Sequence, residues 1–147
     1  MKRHVLTAIA IIFIYGVMVV GAHAQTLGSQ TMRANIPFTF TVGQKSLPPG
    51  IYTVSIVNPA SDRPALRIRS ANGRLSAIIQ TSSVGGSSAD DSKLVFRRYG
   101  DRYFFAQAQV GGDATMLTAA KSHAERAAER AVVKQNGERG VVAIVSK

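Results

Sequence analysis

The sequence predicts a mainly β fold, an antiparallel β-sandwich or small open barrel of about seven strands with one C-terminal amphipathic helix, preceded by a signal peptide. Three observations support this prediction. Short segments in which apolar and polar residues alternate recur between residues 33 and 110. Turn-forming Gly, Pro, Asn and Asp residues separate these segments. One stretch after residue 120 has the periodicity of a helix instead.

The first two predicted strands lie between Arg33 and Ile56 and form a hairpin or a neighbouring pair. In the first strand, one face carries the apolar residues Ile36, Phe38, Phe40 and Val42. Pro37 has no amide hydrogen, which places this strand at a sheet edge or a bulge. Leu-Pro-Pro-Gly at 47–50 is a turn, and apolar and polar residues alternate again from Tyr52 to Ile56.

A second pair of strands is predicted on either side of Asn72-Gly73, a dipeptide that favours a type I′ hairpin turn. Before the turn, Leu66 and Ile68 alternate with two arginines, so this strand has one apolar and one cationic face. The return strand is predicted at 75–82. Residues 84–92 lack periodicity and are rich in Gly, Ser and Asp, which predicts a mobile loop.

The segment Lys93–Val110 predicts a third pair of strands, with Gly100-Asp101 at the turn. The strict alternation of its return strand places Phe104, Ala106, Ala108 and Val110 on one face. The opposite face is then formed by Tyr103, Phe105, Gln107 and Gln109.

A helix is predicted at about residues 121–135. Ser122 is the expected N-cap, with Glu125 three residues later in the pattern of a capping box. The residues predicted to face the sheet are Ala124, Ala127, Ala128, Ala131 and Val132. The opposite, charged face is predicted to carry Glu125, Arg126, Glu129, Arg130 and Lys134. Asn136-Gly137 ends the helix, and Val141–Val145 forms a last short strand.

Residues 1–24 have the pattern of a cleavable signal peptide. Lys2 and Arg3 precede an apolar run at 5–21, and Ala22 and Ala24 are the small residues that signal peptidase recognises before Gln25. As a helix this run spans about 25 Å, less than the roughly 30 Å hydrocarbon core, which favours cleavage over a membrane anchor. No second apolar run approaches that length. We therefore predict a signal peptide at 1–24, a flexible leader at 25–32, and a single β-rich domain at 33–147.

The composition limits what holds this domain together. The chain has no cysteine, so neither a disulfide framework nor thiol catalysis is available. The predicted mature part carries 16 basic and 8 acidic residues, a net charge of +8. A single domain of this length can fold around an apolar core without covalent cross-links.

Two segments carry a resemblance to a known group of proteins. One is Ala34-Asn35-Ile36-Pro37-Phe38-x-Phe40-x-Val42-Gly43, followed by Leu47-Pro48-x-Gly50-x-Tyr52-x-Val54. The other is Lys93-Leu94-Val95-Phe96-x-Arg98-Tyr99-Gly100-Asp101-x-Tyr103-Phe104, followed by Lys121-Ser122 at the helix start. The chain resembles an uncharacterised family of small exported bacterial all-β proteins. The resemblance implies an exported all-β domain with a late helix, and it implies no catalytic residue.

The side chains suited to catalysis or metal binding have simpler interpretations. His123, the only histidine of the predicted mature part, falls at the start of the helix, where an exposed residue is expected. Asp90-Asp91 lies in the predicted loop and lacks the spacing of a calcium-binding loop. Asp101 fits a hairpin turn. We therefore predict no enzyme activity, no catalytic residue, no cofactor and no metal site.

The expected function is that of an exported, non-enzymatic protein of the periplasm, cell envelope or extracellular space that acts through binding or structure. One alternative is a small-molecule or glycan-binding barrel whose cavity is lined by Phe38, Phe40, Tyr52, Phe96 and Phe105. Another is a cationic domain in which Arg67, Arg69 and Arg97 bind an anionic envelope polymer. Another envelope protein is a further possible partner, and nucleic acid is not expected as one. A surface that merely keeps the protein soluble would explain the same charge.

Overall fold

The computed structural model describes residues 31–146, within which the chain forms ten strands and one helix. The strands are β1 (Thr31–Ile36), β2 (Phe40–Val42), β3 (Lys45–Leu47), β4 (Gly50–Ile56), β5 (Ala65–Ser70), β6 (Ser76–Gly85), β7 (Ser92–Tyr99), β8 (Arg102–Gln109), β9 (Thr115–Ala119) and β10 (Arg139–Ser146). The helix is α1 (His123–Lys134). The mainly β fold with a late helix is thus confirmed. The predicted signal peptide and most of the leader lie outside the described residues.

The strands form one open, mixed sheet. β1, β4, β5, β6, β9 and β8 follow one another as neighbours, and β8 also pairs with β7, which in turn pairs with β10. The β2–β3 hairpin lies beside β8, and β2 runs parallel to β8. The prediction of about seven strands, all antiparallel, is therefore wrong. The extra strands are short ones such as β2 and β3, whose three residues are too few to show a period of their own.

Strand alternation places the core where the apolar residues predicted it. The main cluster of buried side chains receives residues from all strands from β1 to β9, and a second, small cluster lies between the sheet and α1. β1 supplies Met32, Ala34 and Ile36 to the main cluster. β1 begins at Thr31, so the ordered domain includes two residues before the predicted boundary at Arg33.

The predicted first strand is interrupted where Pro37 removes an amide hydrogen from the ladder. β1 ends at Ile36 and β2 begins at Phe40. As a result Phe38 lies between strands and is only half-buried, whereas Phe40 and Phe96 are fully buried.

The β5–β6 hairpin is confirmed, but the predicted type I′ turn is wrong. Only Gly73 of the dipeptide has a positive φ, of 71°. The Asn72 side chain instead accepts hydrogen bonds from the Ser70 hydroxyl and the Arg74 amide. A longer connection thus replaces the two-residue turn.

Two predictions fail after this hairpin, for one reason. β6 continues to Gly85, beyond the predicted end at residue 82, and its last residues pair with β9, a strand that was not predicted. A mobile loop was predicted at 84–92, but only residues 86–91 lie outside the strands. Long-range pairing overrides a local composition that has little preference for a strand.

The hairpin of β7 and β8 is confirmed, with Gly100-Asp101 at its turn. A shift in register breaks the alternation of β8: Phe96 pairs with Phe105, whereas Val95 pairs with Gln107, so Ala106 is an extra residue. Phe105 consequently enters the core, and Phe104 packs beneath α1 with Tyr99. The predicted common face of Phe104 and Ala108 is wrong because of this bulge.

Helix α1 begins as predicted, since the Ser122 hydroxyl accepts a hydrogen bond from the Glu125 amide. Its orientation differs from the prediction. Glu125 and Ala128 are buried, whereas Ala127 and Ala131 are exposed. An alanine stripe buries too little area to fix the rotation of a helix, and Glu125 instead turns toward β7. The predicted stop at Asn136-Gly137 is confirmed by a hydrogen bond from the Gly137 amide to the Val132 carbonyl.

Candidate anion-binding face

Arg67 and Arg69 lie on the outer face of β5, between β4 and β6. Their neighbours Leu66 and Ile68 are buried in the core, so the alternation of the strand directs both arginines outward, where they are exposed. The cationic strand face predicted from the sequence is therefore present.

A third arginine joins them through the strand register. Arg33 of β1 pairs with Thr53 of β4, and Thr53 pairs with Arg69 of β5. The side chains of Arg33, Thr53 and Arg69 therefore form one row across the three strands, on the same face of the sheet. At a strand spacing of about 4.8 Å, the backbones of Arg33 and Arg69 lie roughly 10 Å apart. We call Arg33, Arg67 and Arg69 the arginine face.

Sequence reasoning missed Arg33. It lies far from the other two in the sequence, and only the pairing of β1 with β4 brings it near them. The available signal was its position opposite the apolar residues of the first strand. That signal places Arg33 on the outer face of the sheet, but it does not show which residues of other strands lie beside Arg33.

The arginine face is electrostatically uncompensated. No Asp or Glu occurs in β1, β4, β5 or β6. The ion pairs formed by residues 31–146 are Arg97–Glu125, Arg98–Glu138 and Lys121–Glu129. The three guanidinium groups of the arginine face thus have no carboxylate partner within the described chain. They can donate hydrogen bonds to an anion from outside.

Arg97 is not part of this face. Strands β6, β9 and β8 lie between β5 and β7, and α1 covers the outer side of β7 at this point. The Arg97 Nε lies 2.5 Å from Glu125 Oε1, and its Nη2 lies 3.3 Å from Glu125 Oε2. The same Nη2 donates to the Ala119 carbonyl. Because Glu125 neutralises it, Arg97 serves to hold the helix on the sheet.

Tyr99 and a second ion pair complete this contact beneath α1. The Tyr99 hydroxyl donates to Glu125 Oε1 at 3.2 Å. Lys121 Nζ lies 2.7 Å from Glu129 Oε1, and the hydrogen bond between them raises the pKa of Lys121 and lowers the pKa of Glu129. Burial, and then the negative charge of Glu125, raise the pKa of Tyr99. Glu125, which was predicted to face solvent, is therefore the centre of a polar network.

The raised pKa of Tyr99 predicts a loss of stability at alkaline pH. Unfolding lets Tyr99 ionise near its ordinary pKa of about 10, whereas the folded protein resists ionisation. Its stabilising contribution is therefore complete below pH 10 and declines as the pH rises through the higher folded pKa. In a titration followed by the ultraviolet absorbance of phenolate, Tyr99→Phe should remove amplitude from the late, high-pH phase. Loss of amplitude from the early phase instead would contradict this assignment.

The five aromatic residues proposed to line a cavity fill the core instead. Rings of Phe40 and Tyr52 meet edge to face at 5.1 Å, and those of Phe96 and Phe105 do so at 5.9 Å. Phe38 stacks on Tyr103 at 4.0 Å. An open groove of about 600 Å³ lies elsewhere, and its walls are Val42, Gly43, Gln44, Lys45, Ser76, Ala77 and Ile78. None of the five aromatic residues belongs to it.

The remaining polar candidates are dispersed. His123 is the first residue of α1 and is exposed. Asp90 and Asp91 are exposed just before β7, and Asp101 is exposed in the β7–β8 turn. Within the described residues, no three His, Cys, Asp or Glu side chains lie close enough to hold a metal ion. In the same part of the chain, no helix has the length and apolar character needed to cross a membrane.

The arginine face thus stands out as a group of side chains that share one surface and have no carboxylate partner among residues 31–146. The resemblance to small exported bacterial proteins stays a prediction. Comparison of the chain with known protein families, with characterised proteins and with solved structures gave no match.

Proposed function

We propose that this protein is an exported, non-enzymatic binding domain of the periplasm, cell envelope or extracellular space, and that its arginine face binds an acidic envelope polysaccharide. One observation carries the proposal: Arg33 on β1 and Arg67 and Arg69 on β5 are exposed on the same face of the sheet, with only β4 between the two strands, and they have no carboxylate partner among residues 31–146. The signal-peptide pattern at residues 1–24 supports an exported location.

Arginine chemistry suits such a ligand. A guanidinium group presents its donors as a planar fork that matches the two oxygens of a carboxylate. Three such groups on a rigid sheet offer repeated contacts to a chain of evenly spaced anions. Each contact is weak in water, but several on one polymer add to a useful affinity. The net charge of +8 on the predicted mature part would also speed the encounter with a polyanion.

The competing explanation is a surface whose charge only maintains solubility. A comparison of two variants with equal charge separates the two. In Arg67→Gln/Arg69→Gln, two charges leave the arginine face. In Arg126→Gln/Arg130→Gln, two charges leave the exposed side of α1. Binding to polygalacturonate, measured by isothermal titration calorimetry, should weaken at least fivefold in the first variant and less than twofold in the second. Equal losses would mean diffuse attraction to a cationic protein and would refute the proposal.

A further inference from the structure

Strand β6 pairs with a different neighbour along each half of its length. On one side, the residues of its first half, Ser76 to Gln80, pair with β5. On the other side, β9 pairs only with Thr81 to Gly85. In the part of the chain that the structure describes, no strand pairs with this second edge at Ser76 to Gln80. We call this stretch the open edge of β6.

The hydrogen-bond pattern shows which backbone groups lie along the open edge. The Ser70 amide donates to the Leu75 carbonyl, and the Thr81 amide donates to the Pro64 carbonyl. Hydrogen-bonded and non-hydrogen-bonded pairs alternate along an antiparallel ladder. Ser70–Leu75 and Pro64–Thr81 are hydrogen-bonded pairs, and Arg67–Ile78 lies three pairs along the ladder from each of them. Because an odd number of steps separates them, Arg67–Ile78 is a non-hydrogen-bonded pair. The N–H and C=O of Ile78 consequently point away from β5, into the open edge.

The open edge borders the groove of about 600 Å³ described above. The opposite wall is the end of β2, the following turn and the start of β3, which includes Lys45. Lys45 Nζ crosses the groove and donates to the Ser76 carbonyl at 2.7 Å, so one backbone acceptor of this edge is bound by a movable side chain. The Ile78 side chain beside it is 59% exposed. The groove therefore offers backbone donors and acceptors and an exposed apolar side chain together.

The charges around the groove favour an acidic occupant. Lys45 lines it, and the register places Arg67 opposite Ile78 and Arg69 opposite Ser76 on the next strand. Neither β3 nor β6 contains an acidic residue. Glutamate side chains on a strand added beside β6 would lie about two strand spacings, roughly 10 Å, from the β5 backbone, within the reach of long side chains that meet halfway.

We propose that the open edge of β6 binds an extended acidic segment of a partner protein by strand addition. The segment pairs with the N–H and C=O of Ile78 and displaces Lys45 from the Ser76 carbonyl toward a carboxylate of the segment. Residues on its inner side pack against Val42 and Ala77. Main-chain hydrogen bonds supply affinity in this mode of recognition, and alternate side chains supply specificity. This site lies beside Arg67 and Arg69 of the arginine face, but only strand addition needs the backbone groups of Ile78, whereas the proposed polysaccharide contact needs no backbone group.

A labelled heptapeptide in which glutamate alternates with valine tests the proposal with the purified protein. Hydrogen exchange of the Ile78 amide, followed by NMR in the unaltered protein, should slow at least tenfold when the peptide saturates. Replacing the glutamates of the peptide by lysines should weaken binding at least tenfold. Unchanged exchange at Ile78 under saturation, or equal binding of both peptides, would overturn the proposal. Protection of Ile78 that depends on protein concentration without peptide would identify a second copy as the occupant and would also overturn it.

A pair of substitutions gives an independent check. Ile78→Pro removes the central amide of the open edge, whereas Ile78→Val retains it. Peptide binding should weaken at least tenfold in Ile78→Pro and less than twofold in Ile78→Val. Polygalacturonate binding should be unchanged in both, which distinguishes a failure here from a failure of the polysaccharide proposal. Equal peptide binding by the two variants would contradict strand addition.

Discussion

Phe96→Ala is expected to lower the free energy of unfolding by about 3–5 kcal/mol, the usual cost of truncating a buried aromatic residue. Phe96 is fully buried, and its ring meets those of Phe38, Phe40 and Phe105 at 5.3, 5.4 and 5.9 Å. Its removal leaves a cavity at the point where β2, β7 and β8 meet, which the surrounding strands can close only in part. Chemical denaturation followed by circular dichroism measures the loss.

Phe38→Ala is the control for this prediction. Phe38 also contacts the Phe96 ring, but it is half-buried in the break between β1 and β2. Solvent and the neighbouring loop can occupy the space it leaves, so we expect a smaller loss of about 1–2 kcal/mol. If both substitutions cost the same, the assignment of Phe96 to the centre of the core is wrong.

Glu125→Gln is expected to lower the free energy of unfolding by about 2–3 kcal/mol, because it leaves a poorly solvated guanidinium without its counter-charge. Glu125 is 2% exposed and Arg97 is 22% exposed. The residual exposure of Arg97 keeps this loss below the roughly 3–5 kcal/mol that breaking a fully buried ion pair costs. The Tyr99 hydroxyl loses its charged acceptor in the same substitution. Helix α1 should then exchange its amide hydrogens faster than the strands.

Glu138→Gln is the matched substitution for this pair. Glu138 also binds an arginine of β7, Arg98, at 2.6 Å, but it is 83% exposed. A surface ion pair of this kind contributes about 0–1 kcal/mol. Similar losses for Glu125→Gln and Glu138→Gln would show that α1 is not held by a buried ion pair.

Local patterns predicted the parts of this fold that depend on local chemistry. The alternation of Leu66 and Ile68 with Arg67 and Arg69 identifies β5 and both of its faces, because a strand directs successive side chains to opposite sides. The hydroxyl of Ser122 predicts the start of α1, because an exposed helix amide needs an acceptor.

Features that depend on distant partners were beyond such patterns. The extra residue Ala106 reverses the faces of β8, and no local signal distinguishes it from its neighbours. Residues 83–85 become strand only because β9 pairs with them. Parallel pairing of β2 with β8 likewise depends on contacts between segments far apart in the sequence.

The candidate site divides in the same way. Arg67 and Arg69 share a strand, so their common face follows from alternation. Arg33 joins them only through the register of β1 with β4. Arg97 instead forms an ion pair with Glu125 of α1, and the alanine pattern did not determine the rotation that brings Glu125 to the sheet. A sequence with alanine on most of one helix face permits several rotations. The partner of Glu125 selects among them.

The salt dependence of polygalacturonate binding tests the proposed function most directly. Contacts between exposed charges and a polyanion release counterions, so the logarithm of the binding constant falls linearly with the logarithm of salt concentration, and the slope reflects the number of contacts. We predict that Arg67→Gln/Arg69→Gln makes this slope shallower, whereas Arg126→Gln/Arg130→Gln leaves it unchanged. If the two variants change the slope equally, or if neither changes it, the arginine face is not the binding site.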